Sequence, residues 1–241
     1  MTTPGIGYTQ SAGRGCETFA HSAHTKDSGF PRSRYPSWVT MPVEERLRRL
    51  RTALAESTPR IIADHRKRVV AAVAVALRAG GGDIEVLLIH RADRTSDPWS
   101  GHMAFPGGRL EPGDESPLQA AVRETGEEIA LDLGHEAAYL GRLSDATPRG
   151  HGRRLGLVIE PFVFVLHGDP VLHLGEEVQR VVWVPLQFLR DRRNRGYMWY
   201  WRALVPVRLP CYRYQGHLIW GLTLRILDEI VELSADERST P

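Results

Sequence analysis

The chain has 241 residues, 42% of them hydrophobic and 25% charged, with a formal net charge of +2. This is the balance of one soluble domain with extensions, and so small a net charge argues against a protein built to coat nucleic acid. Two cysteines, Cys16 and Cys211, cannot build a disulfide framework or a four-cysteine zinc site, and the longest apolar run, residues 69–77, is far short of the roughly 20 that span a bilayer.

No positively charged start is followed by an apolar core, so the expected setting is the reducing cytoplasm, away from any membrane. Lys26 and Lys67 are the only lysines. Arginine is the better bidentate reader of phosphate, although codon bias explains the skew as well.

Residues 1–40 are rich in Gly, Ser, Thr, Pro and His and carry no periodic apolar pattern, which predicts a disordered tail. Residues 41–66 read as a helix and linker. Pro42 suits a first helical turn, and Val43, Leu47, Leu50 and Leu54 recur at spacings of three and four. Two strands follow, at residues 69–78 and 84–90, joined by a Gly-Gly-Gly-Asp turn at 80–83. A loop then leads through Met103, Ala104 and Phe105 to Pro106-Gly107-Gly108.

The next helix is the best specified. Ser116 is a good N-cap, Pro117 fits the first position and Gln119 completes a capping box. Leu118, Ala121, Val122, Thr125 and Ile129 form its inward stripe, and Gly134 is the expected stop. Strands are expected at 138–143, 157–166 and 178–184, then a short helix from Pro185, a β-rich stretch at 197–214 and a final amphipathic helix at 220–233. Residues 235–241 form a tail. Strands and helices in this mixed order predict an α/β (α+β) domain over residues 67–234.

The chemistry is concentrated between Gly107 and Leu131. Glu124, Glu127 and Glu128 stand at i, i+3 and i+4, so they share one helix face, in the half where the helix dipole disfavours anions. A divalent cation is the natural compensation, and oxygen ligands point to Mg²⁺ or Mn²⁺ rather than zinc. Arg123 can pair with Glu127 at i+4 and hold a carboxylate in place. The paired glycines Gly107 and Gly108 allow a close backbone approach.

This segment resembles the signature of Nudix hydrolases, G-x5-E-x7-R-E-U-x-E-E-x-G-U, with U aliphatic. Gly108, Arg123-Glu124, Glu127-Glu128 and Leu131 match; Thr125 and Ala130 depart from it. Asp114 stands where the first glutamate is expected, and one extra residue then precedes Arg123. Either Asp114 or Glu115 takes that place.

The resemblance implies a Nudix-type α/β/α sandwich with a mixed sheet, and a metal-dependent enzyme that cuts diphosphate linkages of nucleoside derivatives. It implies Glu124, Glu127 and Glu128 as metal ligands and, with Arg123, as catalytic residues. The residues around Leu87-Leu88-Ile89-His90-Arg91, Phe105-Pro106-Gly107-Gly108 and Trp220-Gly221-x-Thr223 are similar to the coenzyme A diphosphatases of the family.

Glu177 is the candidate for a later-loop carboxylate, with Glu176 behind it; Glu160 is either a further candidate or a satisfied structural carboxylate. Arg91 is expected at substrate phosphate together with the Gly107-Gly108 loop. Arg149 and Arg153 either read the 3′-phosphate of coenzyme A or belong to a solvated loop. Among Trp199, Trp201, Tyr212, Tyr214 and Trp220, most are expected in the core and one or two on an adenine ring.

The leading expectation is hydrolysis of coenzyme A or acyl-CoA to 3′,5′-ADP and 4′-phosphopantetheine, with a small-molecule nucleotide substrate and no nucleic-acid partner. The protein is expected as a monomer or homodimer. The alternatives are the same machinery acting on ADP-ribose, a dinucleotide or a damaged nucleotide, and a nucleotide-sensing module. Retention of all three glutamates disfavours the last.

Overall fold

The computed structural model describes residues 41–63, 68–92, 101–148, 156–202 and 205–235. The tail at 1–40 and the loop arginines Arg149 and Arg153 lie outside the described residues.

β1 (Val69–Gly80) and β2 (Asp83–Arg91) form the expected antiparallel hairpin, closed by Gly81 and Gly82 at φ of 56° and 80°. Two consecutive left-handed residues are what a two-residue hairpin turn requires, and glycine supplies them without steric cost. Away from the turn the two strands part. The first half of β1 pairs with β4 (Gly107–Arg109), and the second half of β2 pairs with β3 (Met103–Ala104). Between β3 and β4 the Pro106 carbonyl accepts the Ala74 amide at 2.9 Å, which pins the turn to β1.

On the other edge of β1, β6 (Leu157–Leu166) runs parallel, and β5 (Ala137–Arg142) is antiparallel to β6. β7 (Val178–Pro185) lies antiparallel on the outer edge of β2. The result is a mixed seven-stranded sheet.

Strand alternation separates two cores. One face presents Val75, Leu77, Val86 and Leu88 to Leu50 and Leu54 of α1 (Val43–Glu56) and to Leu224, Leu227 and Ile230 of α5 (Gly221–Leu233). The other face presents Ala72, Ala74 and Ala76 of β1 beside Leu87 and Ile89, and receives Ala120, Ala121 and Ile129 of α2 (Pro117–Ile129). Alanine on both sides of that contact lets the backbone of α2 lie close to the sheet. Helices on both faces make the α/β/α sandwich that the family resemblance implies. No helix among the described residues is long and apolar enough to cross a membrane.

The start of α2 follows its sequence signals with one variation. Ser116 Oγ accepts the Gln119 amide at 3.2 Å, while the Gln119 side chain reaches one residue further back, to the Glu115 amide at 2.6 Å. Its end differs from expectation. The helix stops at Ile129, and Ala130 takes the left-handed conformation at φ 54° with its amide bonded to the Gly126 carbonyl at 2.9 Å. Gly134, the expected stop, lies instead in the short α3 (Leu133–Glu136).

After β7 and the short α4 (Leu186–Arg190), a second sheet is built from β8 (Arg195–Arg202), β9 (Val205–Tyr214) and β10 (His217–Trp220), in the order β10-β9-β8. Of its aromatics, Tyr212 and Tyr214 pack in the core as expected, Tyr212 donating its hydroxyl to the Leu189 carbonyl at 2.7 Å, and Trp220 is half-buried; the expectation fails for Trp199 and Trp201, which are 68% and 66% exposed.

Candidate active site

The site forms where the hairpin strands part and α2 crosses the gap. Gly107 has φ +144° and lies so close to β1 that a Cβ would run into the Ala72 carbonyl. Its amide donates to Glu128 Oε2 at 2.9 Å. At Gly108 a Cβ would occupy the position of the Glu124 carboxylate. The glycine pair therefore does what its sequence suggests: each residue receives one carboxylate from successive turns of α2.

The three glutamates are not equivalent. Glu128 is 5% exposed, whereas the Glu127 side chain is 60% exposed. Glu128 stands three residues beyond Thr125 and seven beyond Ala121, both fully buried, so it continues the inward stripe of the helix. That spacing was the available signal that this glutamate differs from its neighbours. Burial pushes its carboxyl up to about 7, against the downward pull of the Gly107 amide and Arg91; Glu124 and Glu177 add to the upward shift. Burial pushes Glu124 up as well, Arg123 opposes this, and the nearby charges of Glu127 and Glu111 reinforce it. Glu111 is a contributor to the local charge that sequence reasoning did not single out.

Arg123 acts as a clamp. Its guanidinium meets Asp114 through two bonds of 3.0 Å, Glu124 at 3.1 Å, Glu127 at 3.1 Å and the Arg109 carbonyl at 3.3 Å. This geometry resolves the choice between Asp114 and Glu115. Asp114 is the carboxylate tied to Arg123, which holds it below the ordinary range, and it also accepts the Glu111 amide at 2.8 Å. Glu115 is exposed. Arg123 is thus a positioning residue that links the loop before α2 to the carboxylates on it.

Arg91, at the end of β2, reaches the same centre. Its guanidinium is 3.4 Å from Glu128 and 3.8 Å from Glu177. Glu177 is brought there by the segment before β7. The Gly175 amide donates to the Glu128 carbonyl at 2.8 Å, and a Cβ at Gly175 would meet the Glu127 carbonyl at 2.7 Å. The Glu177 carbonyl then accepts the Ala92 amide at 2.8 Å. Glu160 is the structural carboxylate of the two alternatives: it is 4% exposed and pairs with Arg142 at 3.2 Å, which also binds Asp145. Trp220 is packed against His102 and Tyr200, with ring centroids 5.1 and 5.3 Å away.

The structure therefore gathers Glu124, Glu128, Glu177, Arg91, Gly107 and Gly108, with Glu127 at the rim beside Arg123. Among the described residues, no three acidic, histidine or cysteine side chains converge as a ready cation site. The donor chemistry nonetheless suits a hard divalent ion. Oxygen ligands predominate, and the carboxylates of Glu111, Glu124, Glu127, Glu128 and Glu177 outnumber the guanidiniums of Arg91 and Arg123. A buried carboxyl pushed up by burial and by like charges is a group that a cation would return to its ionised form.

The family model for the NUDIX domain matches residues 67–203. Over 203 residues the chain is 30% identical to the mitochondrial coenzyme A diphosphatase NUDT8 of Homo sapiens, covering 83% of this chain and 81% of that protein. It is 32% identical over 148 residues to a Nudix hydrolase NudL of Photorhabdus laumondii subsp. laumondii, covering 61% and 75%. To the protein C14C4.10c of Schizosaccharomyces pombe it is 44% identical over 104 residues, 42% of this chain and 32% of that one.

Proposed function

The chain belongs to the NUDIX family and is a hydrolase of diphosphate linkages, and from that premise we propose that its substrate is coenzyme A or an acyl-CoA, cut to 3′,5′-ADP and 4′-phosphopantetheine or its acyl form. The observation that carries the reading is a relative named as a coenzyme A diphosphatase whose similarity extends over four-fifths of both chains, a longer stretch than the residues 67–203 that the family model matches. The residues flanking the glutamates support it, since Arg91 and the Phe105-Pro106-Gly107-Gly108 turn stand at the carboxylate centre.

Each residue has a distinct task in this reading. Glu124 and Glu128, held one helical turn apart against Gly108 and Gly107, are the principal ligands for Mg²⁺ or Mn²⁺, with Glu127 and Glu177 at the margin. When bound, the ion neutralises phosphate charge and acidifies water. Arg123 fixes the orientation of Glu124 and Glu127 through its bonds to Asp114. Arg91 meets a phosphate oxygen by exchanging its contacts with Glu128 and Glu177 for a charge-assisted bond to substrate. Burial of Glu128 excludes water from its inner oxygen and leaves the Gly107 amide to hold it.

The test is a comparison of kcat/KM for coenzyme A, dephospho-coenzyme A, ADP-ribose, NADH and nucleoside triphosphates with Mg²⁺ or Mn²⁺, with Glu124→Gln and Glu128→Gln as controls. Coenzyme A should lead and both variants should lose the activity. A different leading diphosphate, with the variants still inactive, would retain the carboxylate centre and refute the substrate. Substrate choice resides in loops rather than in the fold.

A further inference from the structure

Arg91 is placed by residues that lie far from it in the chain. It is the last residue of β2, and the β2–β7 register shifts just before it: His90 faces Arg180, whereas Arg91 faces Val178. An irregularity of this kind re-aims the side chain beside it. The backbone that follows is held from two sides. The Arg91 amide donates to the His102 carbonyl at 3.1 Å, and the Ala92 amide to the Glu177 carbonyl at 2.8 Å.

Residues 101–103 are gripped in turn. The Gly101 carbonyl lies 3.1 Å from His90 Nε2. The His102 ring packs edge-on against Trp220, with centroids 5.1 Å apart. Met103 pairs with His90 in β3, and its carbonyl accepts the Thr223 hydroxyl at 2.9 Å. β3 is only two residues long, so these outer contacts supply much of its hold.

Trp220 and Thr223 are themselves fixed. Trp220 pairs with Cys211 at the end of β10 and packs on Tyr200. Gly221, at φ 67°, turns the chain from β10 into α5, and Leu224, Leu227 and Ile230 bury that helix in the core.

We infer that Thr223 is a positioning residue for Arg91, acting together with Trp220 through Met103 and His102. The inference rests on the reading that Arg91 meets a substrate phosphate. In that reading Arg91 gives up its contacts with Glu128 and Glu177 when substrate binds. The backbone then decides where the guanidinium points, and a long side chain magnifies any shift at its base. The last helix thereby sets the affinity of the site for phosphate, while the carboxylates of α2 keep the metal chemistry.

The first test needs neither metal nor substrate. Thr223→Val keeps the side-chain shape and removes the donor to Met103. It should speed hydrogen exchange at the Arg91 amide by about 10-fold and leave the Ala92 amide within about 2-fold of wild type. A general loss of stability would speed both alike.

The second test uses the metal-loaded protein and whichever diphosphate the wild type cuts fastest. A wrong substrate assignment is therefore exposed by the wild type alone. Thr223→Val should raise KM by about 10-fold with kcat nearly unchanged, and Thr223→Ser should restore it. A smaller folded fraction would instead lower kcat at constant KM. Arg91→Ala should raise KM by on the order of 100-fold, and adding Thr223→Val to it should change KM by less than about 2-fold. Equal exchange at the two amides, an unchanged KM in Thr223→Val, or losses that multiply in the double variant would overturn the inference.

Discussion

Replacing Glu128 by glutamine tests the buried carboxylate without removing the oxygen that accepts the Gly107 amide. In the metal-free protein burial raises this carboxyl from 4.5 to about 7. The folded protein therefore keeps a proton that the unfolded chain releases near 4.5. Within that window the native state binds more protons, so stability falls as pH rises from 4.5 to about 7 and then levels off. At about 1.4 kcal/mol for each tenfold change in proton affinity, the whole loss is about 3 kcal/mol. Arg91, Glu124 and Glu177 face the same group and are unchanged in the variant.

Urea denaturation with a chelator at about pH 5 and about pH 8 measures the effect. Relative to wild type, Glu128→Gln should gain up to about 3 kcal/mol on moving to the higher pH. Mg²⁺ at 100 times its Kd should then restore about 3 kcal/mol to the wild type at the higher pH and much less to the variant. A stability difference that is independent of pH would refute the buried, raised carboxyl, and equal stabilisation of both proteins by Mg²⁺ would refute its role as ligand.

Five further substitutions separate the parts of the site and its helix. Ala130→Gly removes the Cβ from a residue at φ 54° and should stabilise the protein by about 1 kcal/mol, raising Tm by about 2–4 °C in a thermal scan. Gly108→Ala should lower kcat by on the order of 100-fold with little change in Tm, because its Cβ displaces only the movable end of Glu124. Gly107→Ala should instead cost about 2 kcal/mol or more in urea denaturation, since its Cβ meets the backbone of β1 at a positive φ. Asp114→Asn should reduce both Tm and kcat by loosening Arg123, while Glu115→Gln should match wild type in both assays.

The parts of the fold that were legible in sequence are those specified by local chemistry. The Gly-rich β1–β2 turn, the capped start of α2 and the alternating strands each need only their own residues to be recognised. The end of α2 was not legible, because alanine seldom adopts the left-handed conformation and Gly134 offered a cheaper stop a few residues on. The burial of Glu128 was masked by its neighbours: three charges in a row of five suggest a solvated face, although its spacing from Ala121 and Thr125 placed it inward. Asp114 and Glu115 could be told apart only once Arg123 had a position. The aromatics of β8 were misjudged because hydrophobic alternation says which residues share a face, but not whether another layer covers it.

The most direct measurement is the mass of the products formed from coenzyme A by the Mg²⁺- or Mn²⁺-loaded protein. The account predicts 3′,5′-ADP and 4′-phosphopantetheine in equal amounts, both abolished by a chelator and by Glu128→Gln. Release of inorganic phosphate with dephospho-coenzyme A, or recovery of intact coenzyme A while another diphosphate is cut, would contradict it.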